Sequence, residues 1–343
     1  MLTCNILEEA DGSAWQEFVC SRPQCGLYHD LGWKDVIEAS YGHRVPYLLT
    51  KRNNKITGIL PLALVRSRFF GNSLTSLPFL DFCGLAADDE QSQLSLLKKA
   101  EELGQKFGVD YIELRQREPT SGNFRTSTQK VLMTLELGSN EDELWNRLSS
   151  ERRNRVRRAI KSGLSVEISE SSMLPVFYDI WTRNMRDLGS PPHSQKFFER
   201  VLENFEGRCA ILLVRLEKRY VGSALALFSK DTFTLPWVSS LREYFRLYPN
   251  NLLYWDAMRF AIQRGVCVFD FGRSTQGSGT YEFKSRWGAV ATPLYWQFLQ
   301  IKGRQVKTVS DASKFQLAVK VWRRLPISVT RMIGPAVRKY ITA

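Results

Sequence analysis

The chain has 343 residues, 43% of them hydrophobic and 12% aromatic, and a net charge of +13. This composition supports a sizeable core and about two domains, and it excludes a largely disordered chain. No apolar run approaches the ~20 residues of a membrane span, and the acidic opening MLTCNILEEADGSAW lacks the order of a secretion signal.

In chain order, six scattered cysteines without CxxC spacing suit a reduced, cytoplasmic protein with buried thiols. Cys20, Cys25 and His29 lack an evident fourth ligand, so no metal site is expected. Trp33, Ile37 and Tyr41 have the i, i+4, i+8 spacing of an apolar helical stripe. PYLLTKRNNKITGILPLALV then reads as an antiparallel hairpin, and SLPFLDF (76–82) as a strand whose proline marks an edge or bulge. A helix is expected near 89–107 and a strand at 110–115. REPTSGNFRTSTQK is rich in turn formers and reads as a loop or exposed hairpin. Ser139 and Asn140 precede a helix with an acidic first turn, EDELWNRL. RRNRVRRAIKS (152–162) predicts a basic helix with Val156 and Ile160 on its inner stripe. The opening pattern then returns: Phe197/Val201/Phe205, the hairpin CAILLVRLEKRYVGSALALF, the strand TLPWVSS (234–240), a helix over 250–264 and the strand CVFDFGR (267–273).

The return is a repeat. At one constant offset, without gaps, His29 matches His193, Arg44 matches Arg208, Leu48 and Leu49 match Leu212 and Leu213, and Gly58 matches Gly222. Each half reads helix, hairpin, strand, helix, strand, which gives an α/β fold of mixed sheets with helices on their faces. The expected domains are 1–138 and 139–301, followed by a basic tail, 302–343. The tail holds ten Lys/Arg against one acid, with Phe315, Val319 and Trp322 at helical spacing. A basic amphipathic helix of this kind either packs on the core or rests on an anionic membrane surface. His29 and His193, at equivalent helix starts, are assigned capping roles.

This topology, twice over, resembles that of the GNAT acyltransferases. RRNRVRRAIKSGLSVEI resembles the basic helix, turn and strand of the FemAB family. NLLYWDAMRFAIQRGVCVFDFG and YEFKSRWG resemble its second-domain helix, strand and Phe-Lys motif. WVSSLREYFRLYPNNLLYWDA, DFGRSTQGSGTYEFK and RWGA resemble the FemAB-related proteins of exosortase and exopolysaccharide gene clusters. The resemblance implies two tandem GNAT-like domains, with the site in the second. It also implies transfer of an acyl or aminoacyl group to an amine or hydroxyl of an anionic cell-envelope or exopolysaccharide precursor. The chain lacks both the charged coiled-coil hairpin of aminoacyl-tRNA-dependent members and a clear Arg/Gln-x-x-Gly-x-Gly/Ala loop. The donor therefore stays open between acyl-CoA and aminoacyl-tRNA, with no tightly bound cofactor.

Acyl transfer needs oxyanion stabilisation, proton removal and alignment. Lys284 matches the lysine that the family carries near the reacting carbonyl. Asp270, a carboxylate on an otherwise apolar strand, could orient Lys284, pair with Arg273 or act as base. Arg273 beside a Gly/Ser/Thr loop suits a phosphate or carboxylate. Trp237, Ser239, Arg242 and Tyr244 follow the central strand and are placed along a cleft. Asn250 sits at a helix start, as N-cap or beside an anion, and Tyr281 joins the substrate-binding set. Arg152 and Arg153 are assigned to a substrate phosphate. Against the enzymatic reading stand a binding or scaffold protein that kept the fold without the chemistry, and a basic RNA-binding protein, for which no RNA-binding motif is present.

Overall fold

The computed structural model describes residues 1–67, 71–169, 171–229, 231–302 and 313–342. In chain order the elements are β1 (Leu2–Ile6), α1 (Gly12–Ser21), α2 (Gly32–Tyr41), β2 (Leu48–Arg52), β3 (Lys55–Leu60), β4 (Ala63–Ser67), β5 (Gly71–Thr75), β6 (Ala86–Ala87), α3 (Glu90–Phe107), β7 (Tyr111–Gln116) and β8 (Arg125–Glu136). They continue with α4 (Glu141–Arg147), α5 (Ser150–Lys161), β9 (Leu164–Ser169), α6 (Leu174–Leu188), α7 (Gln195–Asn204), β10 (Cys209–Leu216), β11 (Arg219–Phe228), β12 (Thr232–Ser240) and α8 (Pro249–Gln263). The last are β13 (Val268–Thr275), α9 (Gly279–Ser285), β14 (Val290–Gln300), α10 (Ser313–Trp322) and α11 (Ile327–Arg338). Two compact units result. One holds Met1–Lys130 with the described parts of 293–312 and 336–343, and the other holds Val131–Thr292 and 313–335.

The repeat is visible in the backbone. In the first unit, Leu48 pairs with Leu60, Thr50 with Gly58 and Arg52 with Lys55, with a bulge between Thr50 and Lys51. In the second, Leu212 pairs with Ala224, Val214 with Gly222 and Leu216 with Arg219, with a bulge between Val214 and Arg215. These are the same registers at the offset read from the sequence. The carbonyls of Arg44 and Arg208 likewise accept from equivalent amides, those of Leu64 and Phe228. The repeated glycine has a steric cause: a Cβ on Gly58 would come 2.8 Å from Thr50 Oγ1, and one on Gly222 would come 2.8 Å from Ser240 Oγ.

The copies differ where proline intervenes. Pro61 falls between β3 and β4, and the chain leaves one sheet for another there, because proline gives no ladder N–H. The first unit thus has a sheet β1-β2-β3-β6 and a run β4-β5-β7-β14, whereas β11 of the second unit runs unbroken. SLPFLDF is not a strand: the strand is β5, just before it. Leu77 and Phe79, flanking Pro78, take φ of 46° and 75°, which no strand accommodates. Of the expected histidine caps, His29 Nδ1 accepts from the Gly26 amide at 3.3 Å, at the start of the short turn before α2, while the starts of α2 and α7 themselves are held by neighbours. Asp30 Oδ1 accepts from Gly32 N at 2.9 Å, and Ser194 Oγ accepts from Phe197 N at 3.1 Å. Cys83 is buried as expected, but Cys20 and Cys267 are exposed.

In the second unit the strand order is β8-β13-β12-β11-β10-β9. Alternation buries both faces. Leu212, Val214, Ala224 and Ala226 join the cluster with Leu252, Leu253 and Met258 of α8. Ile211, Leu213 and Leu225 are equally buried outside that cluster. A bulge in β12, opposite Leu225–Leu227, lies at the predicted Pro236. It turns Trp237 away from the face that Phe233 and Leu235 occupy. Trp237 meets Phe197 and Phe198 of α7 instead, at ring distances of 5.6 and 5.2 Å.

Candidate active site

β12 and β13 pair in parallel only over Thr232–Thr234 and Val268–Asp270. Beyond that point the two strands part, and the released end of β13 carries Phe271, Gly272 and Arg273. Phe269 and Phe271 lie on one face with rings 4.8 Å apart, as alternation requires.

The turn at Gly272 is held from two directions. Asp270 Oδ1 accepts from the Gly272 amide at 2.7 Å. Lys284 Nζ donates to the carbonyls of Gly272 at 3.0 Å and Arg273 at 2.8 Å. Gly272 has φ of 74°, a left-handed conformation that a side chain would strain. Asp270 and Lys284 are both buried. The structure therefore brings Lys284, Asp270 and the Arg273 backbone to one turn, where the strands separate.

Lys284 sits on the short helix α9. The Gly/Ser/Thr loop before it acts as a helix start: Ser278 Oγ accepts from the Tyr281 amide at 3.3 Å and shares a 2.9 Å hydrogen bond with Thr280. Tyr281 is half-buried and packs on the α8 side of the core, as do its neighbours Phe283 and Trp287.

Arg152 of α5 is fully buried, and its Nε and Nη1 have no hydrogen-bond partner. Its guanidinium lies 5.8 Å from the Phe283 ring and 5.9 Å from that of Trp287, the residues on either side of the Lys284 turn. Nη2 reaches Glu151 only at 3.5 Å. Burial, reinforced by the neighbouring Arg155 cation, holds the Arg152 pKa below the ordinary arginine range. Tyr254, stacked at 5.4 Å on Phe271, has its hydroxyl pKa raised by burial. A buried cation with donors directed at no partner is costly, and a phosphate or carboxylate would satisfy it.

The other expected residues divide among several places. Arg153 Nη1 caps α4, donating to Leu148 O at 2.8 Å and Asn146 O at 3.1 Å, so it is not gathered with Arg152. Trp237 is core. Ser239, on the α6 side, accepts from Asn184 Nδ2 at 3.0 Å. Asn250 does not cap α8; its Oδ1 accepts from Ser240 Oγ at 2.6 Å. Arg242 is exposed in the short 3-10 helix Arg242–Leu247 after β12. Tyr244 follows it and lines an open groove of about 500 Å³ with Asp179, Arg183, Tyr220 and Glu243. Sequence reasoning missed Phe283 and Trp287 as the walls around Arg152. Their i, i+4 spacing would have revealed them had the Phe-Lys motif been read as helix. Among the described residues no cluster of three His, Cys, Asp or Glu could hold a metal.

Residues 150–285 match the acetyltransferase (GNAT) domain family. This span includes the separating strands, Arg152 and Lys284. A search of curated proteins finds no match. Among solved structures, FemX has a TM-score of 0.69 at 16% identity, covering 86% of this chain and 96% of its own. L-PGS from Bacillus licheniformis has 0.58 at 9% identity, covering 99% and 98%. A tandem GNAT protein from the clavulanic acid biosynthesis pathway has 0.58 at 10% identity, covering 89% and 100%. At such identities these likenesses concern the fold. Residues 150–285 thus match a GNAT domain within an α/β fold like that of tandem GNAT proteins.

Proposed function

We propose that the protein is an acyltransferase or aminoacyltransferase of FemAB-like type, acting on an amine or hydroxyl of an anionic cell-envelope or exopolysaccharide precursor. The observation that carries this reading is the Lys284 ammonium, buried and fixed on the Gly272 and Arg273 carbonyls where β13 leaves β12. A cation fixed in advance needs no reorganisation as negative charge grows on an attacked carbonyl oxygen. In this reading the acyl group approaches that cation where the two strands part. The amine or hydroxyl attacks the donor carbonyl, the carbonyl oxygen takes the charge beside Lys284, and the donor's thiol or ribose oxygen departs with the proton. Asp270 acts as a positioning residue, since its carboxylate fixes the Gly272 amide. Arg152 receives an anionic group of donor or acceptor, and Tyr244, which lines the groove beside α6, is kept as a substrate-binding residue.

The donor is acyl-CoA or aminoacyl-tRNA, and the reaction is assigned to the cytoplasm. Incubating the purified protein with labelled acyl-CoA, labelled aminoacyl-tRNA and candidate precursors, followed by mass spectrometry, tests the reading. The expected result is label moved from one donor class and lost in Lys284→Met. Binding of a precursor with no transfer from either donor would leave a scaffold protein in its place.

A further inference from the structure

The tail helices α10 and α11 are apolar on two sides, and the core uses only one. Val319 faces inward: a Cβ on Gly189 would come within 2.5 Å of its Cγ1. Gly334 packs so closely on Pro192 that a Cβ there would come within 2.5 Å of the ring. Arg331 Nε donates to Thr182 Oγ1 at 2.8 Å, and its Nη2 pairs with Asp179. Arg323 Nη2 reaches Leu188 O at 3.3 Å. The stripe expected to be amphipathic is therefore, at Val319, the packing face; the Phe315 side chain lies outside the described residues.

A second apolar set remains in water. Leu317 and Val321, one turn apart on α10, are 66% and 54% exposed, and Met332 and Ile333 of α11 are 74% and 36% exposed. Lys320 and Arg324, also one turn apart, are exposed beside the first pair. From Ser313 to Thr342 the sequence has seven Lys/Arg and no Asp or Glu.

We infer that this outward face docks on a bilayer bearing anionic headgroups. Exposed apolar side chains in such a set mark an interaction surface, and their cationic neighbours require an anionic partner. Only an anionic lipid surface supplies both, with acyl chains for Leu317 and Val321 and headgroup phosphates for Lys320 and Arg324. A nucleic acid would answer the charge and leave the apolar side chains in water. A second copy would bring two acid-free basic segments together, in a chain already carrying +13. The inference is independent of the transfer reading, since none of these residues belongs to the proposed site.

Flotation of the full chain with vesicles of phosphatidylcholine, alone or mixed with phosphatidylglycerol, tests it. The protein should bind the mixed vesicles, release with salt, and ignore phosphatidylcholine alone. The double variant Lys320→Glu/Arg324→Glu should bind the mixed vesicles about 30-fold more weakly or worse. Leu317→Gln/Val321→Gln should weaken binding by about tenfold or more, with thermal unfolding unchanged in both variants. Three results would overturn the inference: binding indifferent to phosphatidylglycerol, variants that bind like the parent, or a concentration-dependent dimer abolished by Leu317→Gln/Val321→Gln without vesicle binding. RNA binding through Lys320 and Arg324 with no vesicle binding would do the same.

Discussion

Replacing Arg152 with Met separates a ligand-binding arginine from a structural one. The guanidinium is fully buried, with Nε and Nη1 unpartnered. Each such N–H costs about 1–3 kcal/mol relative to water. Against this stand two ring contacts, at 5.8 and 5.9 Å, each contributing about 0.5–2 kcal/mol. The 3.5 Å approach to the half-exposed Glu151 adds little. Methionine keeps most of the stem's packing and removes the unsatisfied donors. The balance favours the variant by about 1–2 kcal/mol, or a Tm rise of about 2–8 °C in a unit of this size. Anion recognition should be lost at the same time. Thermal unfolding followed by tryptophan fluorescence, run beside the transfer assay, reads both effects. An Arg152→Met protein that melts well below the parent yet transfers at the parental rate would refute the reasoning, because it would make Arg152 a structural cation.

Lys284→Met should lower transfer by about 10²–10³-fold. It should also destabilise the second unit by about 1–3 kcal/mol, since the Gly272 and Arg273 carbonyls lose their donor; urea unfolding measures the latter. Gly272→Ala, forced to φ of 74°, should cost about 1–2 kcal/mol and reduce kcat more than it raises KM, which steady-state kinetics would show. His29 supplies a pH dependence. Burial pushes its pKa down to about 4 from an ordinary 6.5, so folding holds the neutral ring. The stability that this contributes is complete above pH 6.5 and falls by about 3 kcal/mol as pH drops to 4. Denaturant titrations across that window should lose this slope in His29→Gln.

The hairpins were legible because period-two apolar runs and the glycines at 58 and 222 are local signals, and the shared bulge confirms that the two copies fold alike. SLPFLDF misled because its likeness to TLPWVSS is one of composition. Left-handed residues at 77 and 79 cannot be recognised without the φ values that tertiary contacts impose. The Pro236 bulge was foreseen, but its consequence, the turning of Trp237 toward α7 and of Ser239 toward α6, depends on a register that alternation alone does not fix. Lys284, Asp270 and Arg273 lie close in sequence, and their gathering at one turn needed little more than a strand and a short helix.

The basic helix α5 is the deeper failure of pattern reading. Apolar spacing put Val156 and Ile160 inside, yet the buried stripe is Arg152, Val156 and Ala159, while Ile160 is 55% exposed. A rotation toward Ile160 would have buried the isoleucine and turned Arg152 outward. The helix instead buries one cation against Phe283 and Trp287, the side chains that flank the Lys284 turn. Packing alone gives no reason for that choice, since it leaves two donors unsatisfied and an isoleucine exposed. Breaks of this kind between local preference and tertiary placement concentrate where a site needs them, and this one sits against the helix that carries the proposed catalytic lysine.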